Sequence, residues 1–330
     1  MQKKRSNKLA ITTGLVILAL AALGISHWFP SPQEPAYRFV KAWGTSGTQP
    51  GQFEDPIGIV IADEEIFVSD SGNDRIQVFD LEGKFLRSFG SQGEELGELS
   101  RPMSMSIHKD TLYVAEYIND RIQKFSLADG TSQGILGSSG SGPGEFDLPA
   151  DVAVDDDGKI YVADFTNNRV QVLDPSGQFL DQLGKTRRFG IRAGRFNYPT
   201  GVGLLPNGNL LVADTYNDRV QVFDSGGKFV RKWGGPFATN IPGSFHGWFK
   251  NAAAVTADQN GQVFVADFYN DRIQKFTSKG KFLNVFGESG TKPGQFKHPT
   301  NMAVDDEGNV YVVDFGNDRI QKFAPGSNTN

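Results

Sequence analysis

"DSGNDRIQVF", residues 70–79, places an acid, an amide, a second acid and a guanidinium within six residues, the makings of a catalytic site. The same pattern returns as "EYINDRIQKF" from 116, "DFTNNRVQVL" from 164, "DTYNDRVQVF" from 214, "DFYNDRIQKF" from 267 and "DFGNDRIQKF" from 314. Its arginines, Arg75, Arg121, Arg169, Arg219, Arg272 and Arg319, follow one another at intervals of 46, 48, 50, 53 and 47 residues. Recurrence at a nearly fixed period marks a repeat array. One substrate bound in one orientation needs groups with different roles, so six copies of one cluster argue for a structural part.

Each unit reads as four short strands, illustrated by "PADVAVD", "GKIYVAD", "NRVQVLD" and "GQFLDQLG" over residues 149–184. Apolar residues alternate within runs bounded by Gly, Asp and Asn, the period-2 signature of strands. "DDDGK" at 155–159 and "DPSGQ" at 174–178 have the composition of tight turns. Six antiparallel meanders can bury their faces on one another as a ring. The ends supply the closure: the sixth unit stops at Phe323 without an outer strand, and "YRFVKAWG" at 37–44 matches the outer strand "GKFLRSFG" at 83–90. The expectation is an all-β fold, a six-bladed β-propeller of four-stranded antiparallel blades, in which the N-terminal strand completes the last blade and leaves no open edge.

"GTSGTQPGQFEDPIGI" followed by "EIFVSDSGNDRIQVFDLEGKFL" resembles the NHL repeat family over about residues 37–324. The resemblance implies the six-bladed propeller and leaves function open. It also implies that the connectors between blades share one face with the loops between second and third strands.

Within the repeat, the first acid (Asp70, Glu116, Asp164, Asp214, Asp267, Asp314) is expected to accept a bidentate bond from the arginine that starts the third strand. Asn73, Asn119, Asn167, Asn217, Asn270 and Asn317 suit left-handed turn geometry. Gly-rich connectors such as "GSSGSGPGEF" at 137–146 lack the helix and Lys-Ser/Thr pair of a phosphate cradle and read as turns.

Function is then sought where the sixfold pattern breaks. Tyr117, Phe165, Tyr216, Phe268, Tyr269 and Phe315 follow the repeated acid and could form a partial aromatic ring for stacking, or pack over neighbouring loops. "GKTRRFGIRAGRFNYP" at 184–199 carries Lys185, Arg187, Arg188, Arg192 and Arg195, a local positive field in an acidic domain. The longest connector, 234–255, carries Phe237, Phe245, His246, Trp248 and Phe249 and reads as a packed flap or a binding lip. These two loops, with Arg187, Arg188, Arg192, Arg195, Phe245, Trp248 and Phe249, form the preferred interaction site.

An enzyme is the alternative, a metal-dependent hydrolase or lyase at the channel mouth. The peptide-amidating lyase that resembles this family uses a zinc site built from several histidines, whereas this chain has His27, His108, His246 and His298, with only the last two expected on one face. Asp151, Thr200, Asn251 and Asn301 fall near the starts of inner strands, but one carboxylate among neutral groups is a weak metal cage. Neither a metal site nor a cofactor is expected.

The amino terminus is basic over residues 1–8 and charge-free from Leu9 to Ile25, followed by "SHWFPSPQEP". Seventeen helical residues span about 26 Å, and extension through Phe29 reaches hydrocarbon thickness. Residues 9–29 therefore read as a transmembrane anchor, with Lys3, Lys4, Arg5 and Lys8 cytoplasmic and the propeller extracytoplasmic. A cleaved signal, with a poor site at Ala22-Leu23-Gly24, is the rival. Residues 30–36 read as a linker and 325–330 as a disordered tail. Without residues 1–30, 29 basic face 38 acidic side chains, a net of −9. That balance excludes a nucleic-acid partner and leaves a protein, peptide or cell-envelope glycan. The absence of cysteine removes disulfides, thiolate metal sites and cysteine nucleophiles.

Overall fold

The computed structural model describes residues 30–327. They form six four-stranded antiparallel sheets, each a meander running from an inner to an outer strand. Blade three is typical: Pro149–Val154, Ile160–Asp164, Arg169–Leu173 and Phe179–Gly184. Blade six takes its first three strands from Pro299–Val304, Val310–Asp314 and Arg319–Ala324, and its outer strand is Arg38–Trp43. The pairing runs from Arg38 opposite Ala324 to Trp43 opposite Ile320, so the two ends of the array close the ring.

The core is divided among the interfaces between blades. One cluster joins Val220 and Val222 of blade four to Ala252, Val255 and Val265 of blade five. A plug from each connector, Phe53, Leu99, Phe146, Phe196, Phe249 or Phe296, is fully buried. The turns behave as their composition demands: Asp174 Oδ1 accepts from the Ser176 and Gln178 amides, and Gly177 takes φ of 90°.

The repeated charge cluster is a clamp on the connector. In blade four Arg219 Nε donates to Asp214 Oδ2 at 2.6 Å, while Nη1 and Nη2 donate to the carbonyls of Ile191, Ala238, Arg192 and Arg195. The expected bidentate contact is thus replaced by a single carboxylate bond. The remaining donors hold the loop, whose Gly-rich backbone has no sheet partner for those carbonyls. Gln221 completes the clamp: Nε2 donates to Asp214 and to the Arg195 carbonyl, and Oε1 accepts from the Gly194 amide. In blade two Glu116 fills the same role, accepting from Arg121, Asn119 and Gln123.

Left-handed geometry belongs to the residue after the repeated asparagine. Asp74, Asp120, Asn168, Asp218, Asp271 and Asp318 have φ between 48° and 56°, whereas the asparagine side chains donate to the first acid. The correction reveals a second sixfold device. Oδ1 of each left-handed residue accepts a backbone amide from the next connector: Asp74 from Arg101, Asp120 from Leu148, Asn168 from Tyr198, Asp218 from Asn251, Asp271 from His298 and Asp318 from Asp55. These six bonds pass around the whole ring. Only an acceptor oxygen is required, which is why Asn168 serves where its counterparts are Asp.

Residues 30–36 are a strap along blade five. The Gln33 amide donates to the Leu283 carbonyl at 2.7 Å, Lys275 pairs with Glu34, and Asn284 donates to the Pro35 carbonyl. Tyr37 then stacks on Phe286 at 4.7 Å between ring centroids. At the other end, Ala36 and Pro35 lie so close to Gly326 that a β-carbon there would clash. The segments 1–8, 9–29 and 328–330 lie outside the described residues. Among those described, no helix is long and apolar enough to cross a membrane.

Candidate binding site at the channel mouth

In every blade but the fourth the inner strand begins with a residue paired to the repeated acid, as Pro149 is to Asp164 and Pro299 to Asp314. The next residues, Ile57, Met103, Ala150 and Thr200 in blades one to four, line a cavity of about 470 Å³ at the channel mouth. Tyr117, Ile118 and Phe165 from the loops between second and third strands complete its wall, with Arg101 at the rim. Arg101 is half-buried, and its Nη2 lies 3.6 Å from Asp55 Oδ2. The cavity is an apolar funnel with one cation beside it.

An aromatic arc extends the funnel. Tyr117 meets Phe165 at 6.1 Å, Phe165 meets Tyr198 at 4.8 Å and Tyr198 meets Tyr216 at 5.3 Å. The sequence-derived ring therefore separates into two positions. Tyr117, Phe165, Phe268 and Phe315 directly follow the acid and are half-buried, whereas Tyr216 and Tyr269 stand one residue later and are exposed. Where that first position is small, a hydroxyl replaces the ring: Thr215 Oγ1 donates to the Ala252 carbonyl and Ser71 Oγ to that of Pro102. Phe268 stacks on His298 of the neighbouring connector at 4.7 Å, whereas Tyr117 and Phe165 line the funnel.

One level deeper, Gly58, Ser104, Asp151, Gly201, Ala254 and Asn301 occupy equivalent places, each two residues after Pro56, Pro102, Pro149, Pro199, Ala252 or Pro299. Asn301 Nδ2 donates to Ser104 Oγ at 2.9 Å, past blade one, whose residue here is glycine. Asp151 accepts the Val152 and Val202 amides, both at 2.8 Å. Burial pushes its carboxyl up to about 7, opposed by hydrogen bonds from Ser104 and from the Val202 and Val152 amides. Ser104, Asp151 and Asn301 thus form a buried polar bolt under the funnel.

Thr200 sits one level above that bolt, and Asn251 lies outside it with left-handed backbone, held by Asp218. The four channel-lining candidates do not converge. His246 stacks on Phe282 and shares its Nδ1 with the Pro30 carbonyl, away from His298. No group of three or more His, Cys, Asp or Glu that could hold a metal ion occurs among the described residues.

The two preferred loops meet at blade four. Arg219 binds carbonyls of both, and Asn217 donates to Gly190 O while its own carbonyl accepts from the Asn240 amide. Arg188 and Arg192 are exposed and Arg195 is half-buried, whereas Arg187 is drawn toward Asp147 at 3.7 Å and Asn167 at 3.4 Å. Phe245 is exposed and meets the half-buried Trp248 edge to face at 5.3 Å. Phe249 is a correction: it is fully buried against Phe276 at 5.6 Å and cannot contact a partner. Its signal was present, since it stands where Phe53, Phe146, Phe196 and Phe296 stand in their connectors. Ile118, Phe189 and Ile191, all exposed, carry no mark in the sequence, where an apolar residue in a loop looks the same whether it is buried or in water.

Comparison with known proteins agrees with this architecture. A model of the NHL repeat matches residues 146–173 and 196–223, and a model described as a 6-bladed beta-propeller matches residues 52–134 and 253–326. Protein lin-41 of Caenorhabditis elegans is 45% identical over 47 residues, 14% of this chain and 4% of that protein. A structural genomics protein of unknown function from Bacteroides thetaiotaomicron superposes with a TM-score of 0.68 at 15% identity, covering 88% of this chain and 76% of the other. A streptogramin B lyase superposes with a TM-score of 0.60 at 13% identity, covering 88% and 98%. At such identities the likeness is one of fold. The chain is a six-bladed propeller in which two segments match the NHL repeat.

Proposed function

We propose that this NHL-repeat propeller is a non-catalytic binding module that receives a protein or peptide segment at the channel mouth, tethered on the extracytoplasmic side of a membrane by residues 9–29. The observation that carries the reading is the funnel walled by Ile57, Met103, Tyr117, Ile118 and Phe165, with Arg101 at its rim. An apolar or aromatic side chain of the partner fills the funnel, and a neighbouring acidic group meets Arg101. A glycan, which needs paired polar groups at its hydroxyls, finds few in this wall. A hydrolase or lyase would need convergent acid, base or metal ligands, and the polar groups beneath the funnel are engaged with one another. The tether is supported by the charge-free stretch that precedes the strap.

Replacing Tyr117 and Phe165 together by alanine is expected to weaken partner capture by the full chain by about 2 kcal/mol, roughly thirtyfold. Capture from detergent-solubilised native membranes checks it, and unchanged capture contradicts the site.

A further inference from the structure

The connectors 184–199 and 234–251 differ in charge from the rest of the binding face. Together they carry Lys185, Arg187, Arg188, Arg192, Arg195 and Lys250 and no acidic residue, in a chain of formal net charge −5. The connector at 90–101, by contrast, carries Glu94, Glu95 and Glu98. Both basic connectors are fixed to blade four through Arg219 and Asn217, so they form one rigid edge. Between the cations, Phe189 is 74% exposed and Ile191 52%, and Ile241 is exposed on the second loop. Phe189, Ile191, Arg188 and Arg192 also border a shallow recess of about 350 Å³. Large apolar side chains standing in water among arginines are the combination that inserts at a lipid interface.

The path of the chain points to the same edge. His246, in the middle of the second loop, donates through Nδ1 to the Pro30 carbonyl at 3.0 Å. Ile25, the last apolar residue before Ser26 and His27, precedes Pro30 by five positions, a reach of at most about 18 Å. We propose that this basic, apolar edge of blades four and five docks on an anionic lipid surface, laying the propeller beside the bilayer with the funnel accessible from the side. The inference rests on the proposed tether and assigns a role to residues that the funnel does not use. Cations near an anionic surface and buried apolar tips act together there.

The test exploits the absence of cysteine. Full-length chain carrying Phe189→Cys, or Asp156→Cys on the opposite face, is labelled with an environment-sensitive fluorophore and reconstituted into phosphatidylcholine vesicles with or without roughly one third phosphatidylglycerol. With nitroxide-bearing lipids, the label at 189 is expected to be quenched several-fold in the anionic vesicles and the label at 156 to be unaffected. Arg188→Glu with Arg192→Glu, both exposed, is expected to abolish the quenching. A label at 189 that stays in water, while the chain withstands alkaline carbonate extraction, overturns the docking and leaves the tether standing. Equal quenching without phosphatidylglycerol overturns recognition of the anionic surface. A chain released by carbonate overturns the tether and the docking with it.

Discussion

Replacing Asp214 by alanine is expected to destabilise the propeller by about 3–5 kcal/mol, the cost of stranding a buried charge. Arg219 has no exposed surface, and Asp214 is its only charged partner among the described residues. The same carboxylate also accepts from Asn217, Gln221 and the Asn197 amide, so its removal orphans four donors at once. Burial raises the Asp214 carboxyl, while Arg219 and these hydrogen bonds pull it down. Asp214→Glu is the informative partner variant: Glu116 fills the equivalent place in blade two, so it is expected to recover most of the loss. Urea denaturation of the full chain checks both. A loss below about 1 kcal/mol for the alanine variant, the scale of an exposed ion pair, would contradict the clamp.

Phe249→Ala is expected to cost about 3–5 kcal/mol as well, by a different route. The ring is enclosed between blades four and five with Val220, Val222, Ala252 and Phe276, and the backbone around it is held by Arg272 and Gln274 through the Trp248 carbonyl. That backbone cannot collapse into the space the ring leaves, so a cavity persists. Phe245, four residues earlier in the same loop, is exposed, and Phe245→Ala is expected to stay within about 0.5 kcal/mol. Thermal or urea unfolding of the two variants side by side separates them, and equal losses would mean that Phe249 is no plug.

The contrast between these two phenylalanines shows what the sequence made legible. The period of the Asp-Asn-Arg-Gln cluster gave the number of blades and their register, and the surplus strand at 37–44 gave the closure, because both are patterns along the chain. The role of Phe249 is masked by the crowding of Phe237, Phe245 and Trp248 in the same loop, although its place before the inner strand is itself part of the repeat. The bonds from Asp74 and its equivalents to the next connector were not legible, since each joins groups separated by 27 or more residues, with nothing local to mark the pair. The channel candidates slipped for a related reason. Asp151 and Asn301 stand two residues after Pro149 and Pro299, whereas Thr200 stands one residue after Pro199 and Asn251 one residue before Ala252, so neither reaches the level of Asp151 and Asn301. Ser104, the partner of both, is a small residue in an apolar strand and carries no signal until the ring is closed.

The funnel was legible only in part. Tyr117 and Phe165 were found as rings after the acid, but Ile57, Met103 and Ile118 are ordinary apolar residues whose convergence depends on four blades meeting at one axis. The sixfold residues fix that convergence, and the departures from sixfold symmetry give the mouth its chemistry.

The central claim is that a partner is held at the funnel and not elsewhere on the ring. A photo-reactive phenylalanine analogue at Ile118, compared with one at Asp156 on the opposite face, tests it in native membranes. The account predicts that position 118 cross-links to a discrete protein partner, that Phe165→Ala suppresses the cross-link, and that position 156 yields none. A partner captured equally at both positions, or at 156 alone, would contradict it.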